Sequence, residues 1–181
     1  MEVADPVTQV ETIAGELQAL RAGAERAQGL AAAADNQAQE IALRAAAAGF
    51  TAVAAGMARV RAAIGELRGR LGGLLTTIDE ASTATSAVPR EATPQDTIAA
   101  LTPVHQGIVG AREASAATST HVGTLQRLVT TVLHGGQPGP MLQTLDGIKQ
   151  VLALMAQRAG TAEQTVEAAI AAARRLGSAG N

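Results

Sequence analysis

The chain has no cysteine, tryptophan or tyrosine, and its one aromatic side chain is Phe50. Without cysteine there is no disulfide framework, no thiolate zinc site and no thiol nucleophile. Without aromatics the chain has few large flat side chains for a wide globular core, and nothing on which nucleic-acid bases could stack in series. A formal net charge of −2 over 181 residues supplies no strong field toward DNA, RNA or an anionic membrane. Long hydrophobic runs are missing too. The longest apolar uncharged stretch, Ala45 to Ala58, is mostly alanine and glycine, whereas a membrane span needs about 20 strongly apolar residues. The first residues, Met1 to Asp5, are acidic rather than basic, so no secretory leader is expected and a cytoplasmic location is, with leaderless export as the other route.

What is abundant is alanine, and the basic residues are arginine except for Lys149. A genome rich in G and C explains both biases most simply. Alanine loses no side-chain entropy in a helix, so the composition favours helix throughout.

Hydrophobic spacing carries the strongest signal. Val53, Met57, Val60, Ile64, Leu67, Leu71, Leu74 and Ile78 alternate steps of four and three, the spacing of helices packed as a coiled coil or long bundle. Leu145, Ile148, Leu152, Met155, Ala159, Ala162, Val166, Ala169, Ala173 and Leu176 repeat it. So do Leu101, Val104, Ile108, Ala111, Ser115, Thr118, Val122, Leu125, Val129 and Val132. The first segment follows with Val10, Ile13, Leu17, Leu20, Ala24, Ala27, Ala31, Ala34, Ala38 and Ile41, although its centre is alanine alone. The expected fold is all-α: an elongated four-helix bundle built of two long antiparallel helical hairpins with coiled-coil-like heptad packing. Helices of about 30–40 residues would run roughly 45–60 Å.

Breakers set the boundaries. Asp5-Pro6 suits an N-cap followed by a first helical residue, and Gly49-Phe50 suits the first hairpin turn. Pro89 and Pro94 mark a linker over 89–96 between a first hairpin, 1–88, and a second, 97–181, the two together forming one continuous bundle. Thr93-Pro94-Gln95-Asp96 reads as a helix start. Pro103 predicts a kink, or a short separate helix before it. Gly135-Gly136-Gln137-Pro138-Gly139-Pro140 is the clearest break, with His134 and Gly135 closing the third helix and Pro140 opening the fourth. Glycines at 56, 65, 69, 72 and 73 fall inside helix two. They predict a soft middle there, or a kink at Gly72-Gly73. A shift of 91 residues superposes Val10, Ile13 and Leu17 on Leu101, Val104 and Ile108, Arg21 on Arg112, Gly56 on Gly147 and Val60 on Val151, suggesting a duplicated hairpin.

Polar residues form no evident constellation. His105, His121 and His134 are not three or four apart, so a helical metal site would need carboxylates converging from other helices. His134 reads as a favourable charge at a helix C-terminus, and His121 as a contact flanking Val122. Asp79-Glu80 and Glu163 to Glu167 read as solvated faces. The hydroxyls of Ser82–Ser86 and Ser115–Thr120 lie in no nucleophile elbow or phosphate loop. Arg59, Arg61, Arg68 and Arg70, interrupted by Glu66, read as a charged outer face. Phe50 reads as a plug closing one end of the bundle, or else as an exposed anchor for a partner. The Gly135–Pro140 loop is likewise a rigid turn or a displayed recognition element. No catalytic, cofactor-binding or metal-binding residue is expected, and no cofactor.

The segments AQEIALRAAAAGFTAVAAGMARVRAAIGELRGRL and GGQPGPMLQTLDGIKQVLA resemble a family of uncharacterised Ala-rich helical proteins from high-GC Gram-positive bacteria, over most of the chain. Gly49-Phe50 stands where the W-x-G turn lies in WXG-type secreted helical hairpins, a more distant similarity. ADNQAQEIALRAAAA and EQTVEAAIAAARR share composition with chemoreceptor signalling coils. The first resemblance implies no assigned activity. The expectation is a non-catalytic interaction or structural protein. It would present helical faces to a protein partner or to a second copy, as a possible homodimer that completes thin seams. No nucleic acid, transmembrane segment or small-molecule substrate is expected. An amphipathic coat on a granule or lipid surface, phasin-like, is the alternative; a leaderless secreted effector follows, and an enzyme comes last.

Overall fold

The computed structural model describes residues 6–89 and 93–179. These form four α-helices: α1 (Pro6–Ala47), α2 (Thr51–Ser86), α3 (Pro94–Val132) and α4 (Gly139–Ala179). Each has 36 to 42 residues, hence about 54–63 Å at 1.5 Å per residue. Asp5, the expected N-cap of α1, lies outside the described residues.

Each helix packs on two neighbours, α1 on α2 and α4, and α3 on α2 and α4, while the backbones of the diagonal pairs stay apart among the described residues. The bundle is therefore a square array of antiparallel helices with one core along its axis. Side-chain pairs give the register: Arg21 with Asp79 and Arg61 with Asp35 across α1–α2, and Arg112 with Glu163 across α3–α4. On the α1–α4 side Glu16 meets Arg158.

The spacing read from the sequence is the core. Every seam residue named above is buried except Val10, Ile41, Val53, Val132 and Leu176, and those five sit at the two ends of the rod, where the seam opens to water. Even the alanine-only centre of α1 belongs to it: Ala24, Ala27, Ala31, Ala34 and Ala38 are fully buried. The four seams close on one another, so one chain covers its own core. A second copy is not needed to complete it.

The boundaries follow ordinary capping chemistry. At the end of α1 the Phe50 N–H donates to Ala45 O (2.8 Å) and the Gly49 N–H to Ala46 O (3.1 Å). Gly49 has φ +81°. This is the Schellman arrangement, which requires a left-handed residue that glycine supplies without Cβ strain. At α3 the Thr93 hydroxyl accepts from the Asp96 N–H (3.2 Å), and the Asp96 carboxylate accepts from the Thr93 N–H (3.3 Å). That capping box draws the last residues of the 89–96 linker into the helix.

Neither Pro103 nor Gly72-Gly73 breaks its helix. α3 is a single helix through Pro103, with no separate helix before it. Pro103 and Ala99 are both exposed, so the carbonyl that loses its i+4 donor faces water and the break costs less than it would in a core. α2 likewise runs unbroken through Gly72-Gly73.

The 91-residue repeat holds fully on one side and in part on the other. Each core position of α1 from Ile13 to Ala38 lands on a core position of α3 from Val104 to Val129. Between α2 and α4 only every second step is kept: Met57, Ile64, Leu71 and Ile78 land on the buried Ile148, Met155, Ala162 and Ala169, whereas the buried Val60 lands on Val151, half-buried beside the core residue Leu152.

Three glycines sit where helices touch closely, Gly23 against the flexible Met155 side chain and two others. A Cβ on Gly107 would lie 2.8 Å from the Ala81 Cβ, and one on Gly56 would lie 2.5 Å from a Val132 methyl. The Ala81 Cβ is fixed to backbone and cannot rotate away. Gly107→Ala is therefore expected to destabilise by about 1–2 kcal/mol, because overpacking outweighs the helix-propensity gain. Urea denaturation of the variant checks this.

Candidate functional site

Most of the polar residues singled out in the sequence are tied into the bundle. Arg61 Nε donates to Asp35 Oδ1 at 3.0 Å, and that hydrogen bond, with the carboxylate's charge, raises the arginine pKa above its ordinary value. Arg21 is raised in the same way by its hydrogen bond to Glu25, helped by Asp79. Arg61 is thus neutralised across the α1–α2 face while Arg59, Arg68 and Arg70 are exposed, so the four arginines do not act as one positive patch. Asp79 is not a purely solvated carboxylate: it is half-buried and bridges to Arg21 at 2.9 Å. Ser115 and Thr118 lie in the core, each hydroxyl donating to the carbonyl four residues back.

The histidines separate into three environments. His134 is exposed beyond the end of α3. His121 is half-buried, with Nε2 3.1 Å from the Ala63 carbonyl on α2, a flanking contact. His105, on α3, faces α4: its Nε2 is 3.4 Å from Glu167 Oε1. Glu163 lies one turn before Glu167 on the same face of α4. It is not solvated as the sequence suggested, because its side chain is only 15% exposed and Oε2 lies 2.7 Å from Arg112 Nη1. That contact brings charge but no aligned N–H, and Oε2 is buried without a hydrogen bond. One ligand atom from each of His105, Glu163 and Glu167 lies within 4.8 Å of the other two. No local pattern signals this grouping, since 62 residues separate His105 from Glu167 and only the α3–α4 register brings them together.

The second feature is the end of the bundle where both hairpins turn. Gly56, early in α2, packs on Val132, late in α3, so the Phe50 turn and the 133–138 connection share one end. Phe50 is 64% exposed. It is not a plug. Met141 and Leu133 are buried at that end of the core instead. Leu43, one helical turn before the end of α1, is exposed as well. Gly135 turns with φ +85°, and the Gly136 N–H donates to Leu133 O at 2.8 Å, leaving 134–137 in solvent.

Grooves along the helices are open to solvent and partly polar. The one between α3 and α4 is lined by residues including Gln126, Arg127, Thr130, Asp146, Lys149 and Gln150. Another opens where Gly29 and Gly65 lack side chains, beside Glu25 and Arg68.

Residues 92–178 match the model of a family of unknown function (DUF6244). The match spans the α3–α4 hairpin, His105, Glu163 and Glu167 included, and it bears out the resemblance to an uncharacterised family for that half of the chain. No curated protein and no solved structure matches. No helix among the described residues is long and apolar enough to cross a membrane.

Proposed function

We propose that this chain is a non-catalytic helical interaction protein that docks on a protein partner through the bundle end carrying Phe50. The observation behind this reading is the exposure of the chain's one aromatic side chain. Burying a phenylalanine stabilises a fold by about 1.5–3 kcal/mol, and a core built of Leu, Ile, Val and Ala forgoes that gain here. A partner surface would recover it, because aromatic anchors at the centre of an interface contribute most of its energy. The neighbouring 133–138 connection adds backbone donors and acceptors around such an anchor. Protein-binding loops carried on a rigid scaffold have this form.

The test compares the full chain with its Phe50→Ser variant in affinity capture from the native cell, with quantitative read-out. Phe50 is 64% exposed, so the substitution should leave circular dichroism unchanged and stability within about 0.5 kcal/mol. Loss of a captured protein by about tenfold, equivalent to roughly 1.4 kcal/mol of binding, is the expected result. Equal recovery of every captured protein by both chains would overturn the reading. Light scattering across concentration identifies the case in which the partner is a second copy.

A further inference from the structure

We propose that His105, Glu163 and Glu167 bind one divalent transition-metal ion, of the zinc class, across the α3–α4 face. The inference is independent of the Phe50 surface, which lies at the far end of the rod from it.

The geometry is that of a site needing only side-chain adjustment. Two carboxylates four residues apart on α4 share one face, and the imidazole comes from the adjacent antiparallel helix. Metal–ligand bonds of about 2.0–2.2 Å in a tetrahedron place ligand atoms about 3.3–3.6 Å apart. His105 Nε2 and Glu167 Oε1 are already at 3.4 Å, and the third atom is within 4.8 Å of both. Rotation of the Glu163 terminal torsion, which is broad for a carboxylate, closes the remaining gap. Glu163 Oε2 is buried and makes no aligned hydrogen bond, although it lies against Arg112 Nη1 at 2.7 Å. That contact engages Oε2 alone, so a metal ion would be held through Oε1 or in competition with the guanidinium.

Ligand chemistry selects the class of ion. An imidazole suits zinc and its late transition-metal neighbours, whereas magnesium and calcium favour all-oxygen sets. Neutral histidine and two carboxylates balance a dication. Arg112, 2.7 Å from Glu163, opposes the ion by Coulomb repulsion, so binding in the micromolar rather than nanomolar range is expected. With Glu167 59% exposed, the fourth position is open to water. The ion would clip α3 to α4 across residues distant in sequence, raising the stability of the folded state by mass action.

The experiment is calorimetric titration of the untagged, chelator-treated full chain with zinc chloride, alongside thermal melts with and without zinc. One ion per chain, a higher melting temperature with zinc, and no comparable effect of magnesium are expected. His105→Ala and Glu167→Gln, both at partly exposed positions that the fold does not depend on, should each weaken zinc binding by about tenfold or more, while His134→Ala leaves it unchanged. Two results would overturn the proposal: no heat and no melting shift at millimolar zinc, or His105→Ala binding zinc as tightly as the unaltered chain.

Discussion

Replacing Leu71 by alanine is expected to cost about 3–5 kcal/mol, the upper part of the range for such truncations. Leu71 is fully buried in the middle of α2. The Arg21–Asp79 and Arg61–Asp35 pairs bracket it and set it at the level of Ala27 on α1. On α3, Gly110 against Thr77 and His121 against Ala63 bracket it from the other side, at the level of Ser115. Both neighbours are short, and neither can extend into the space a leucine leaves. The cavity would therefore persist, and cavity volume is what separates costly truncations from cheap ones. Leu154, 54% exposed on α4, is the control, with Leu154→Ala expected to stay within about 0.5 kcal/mol. Urea denaturation of both variants decides it. A Leu71→Ala cost below that of Leu154→Ala would mean that the core does not run where the 3-4 spacing puts it.

The combined substitution of Gly65, Gly69 and Gly73 by alanine should act in the opposite direction. All three are exposed within α2, and a Cβ at each meets nothing within 4 Å. Each change restricts the unfolded chain and restores helix propensity by about 0.5–1 kcal/mol. Together they should stabilise by about 1.5–3 kcal/mol. For a chain of this size that is a rise in melting temperature of roughly 3–12 °C. Amide exchange in the middle of α2 should slow as well, since local opening there has glycine's entropy behind it. A triple variant that melts no higher than the unaltered chain would show that this glycine face carries a close contact absent from the isolated bundle. Gly107→Ala provides the contrast within the same molecule. There the same chemical change meets the Ala81 Cβ at 2.8 Å, and loss is expected.

The distinction between these glycines was not legible in the sequence. Gly65 and Gly107 look alike there, each one residue from a core position of a long helix. Only the neighbouring helix tells them apart. The same holds for Phe50. Spacing locates it at a turn, and a plug is the simpler expectation, but Leu133 and Met141 already fill that end of the core. Glu163 was read as a solvated carboxylate because an exposed helix face and a face flanking a neighbour's seam have the same local pattern.

The absence of cysteine and of all but one aromatic, together with a 3-4 spacing of small aliphatic residues, determined the helical class, the core and most helix ends. Those follow from local physics: side-chain periodicity, propensity and capping act within a few residues of chain. The square antiparallel array and its register were decided only by packing between helices. With them came the exposed Phe50 end and the meeting of His105 with Glu163 and Glu167, groups some sixty residues apart in sequence. Nothing in the local sequence encodes such a meeting, because it depends on how far one helix slides along the next before their side chains interlock.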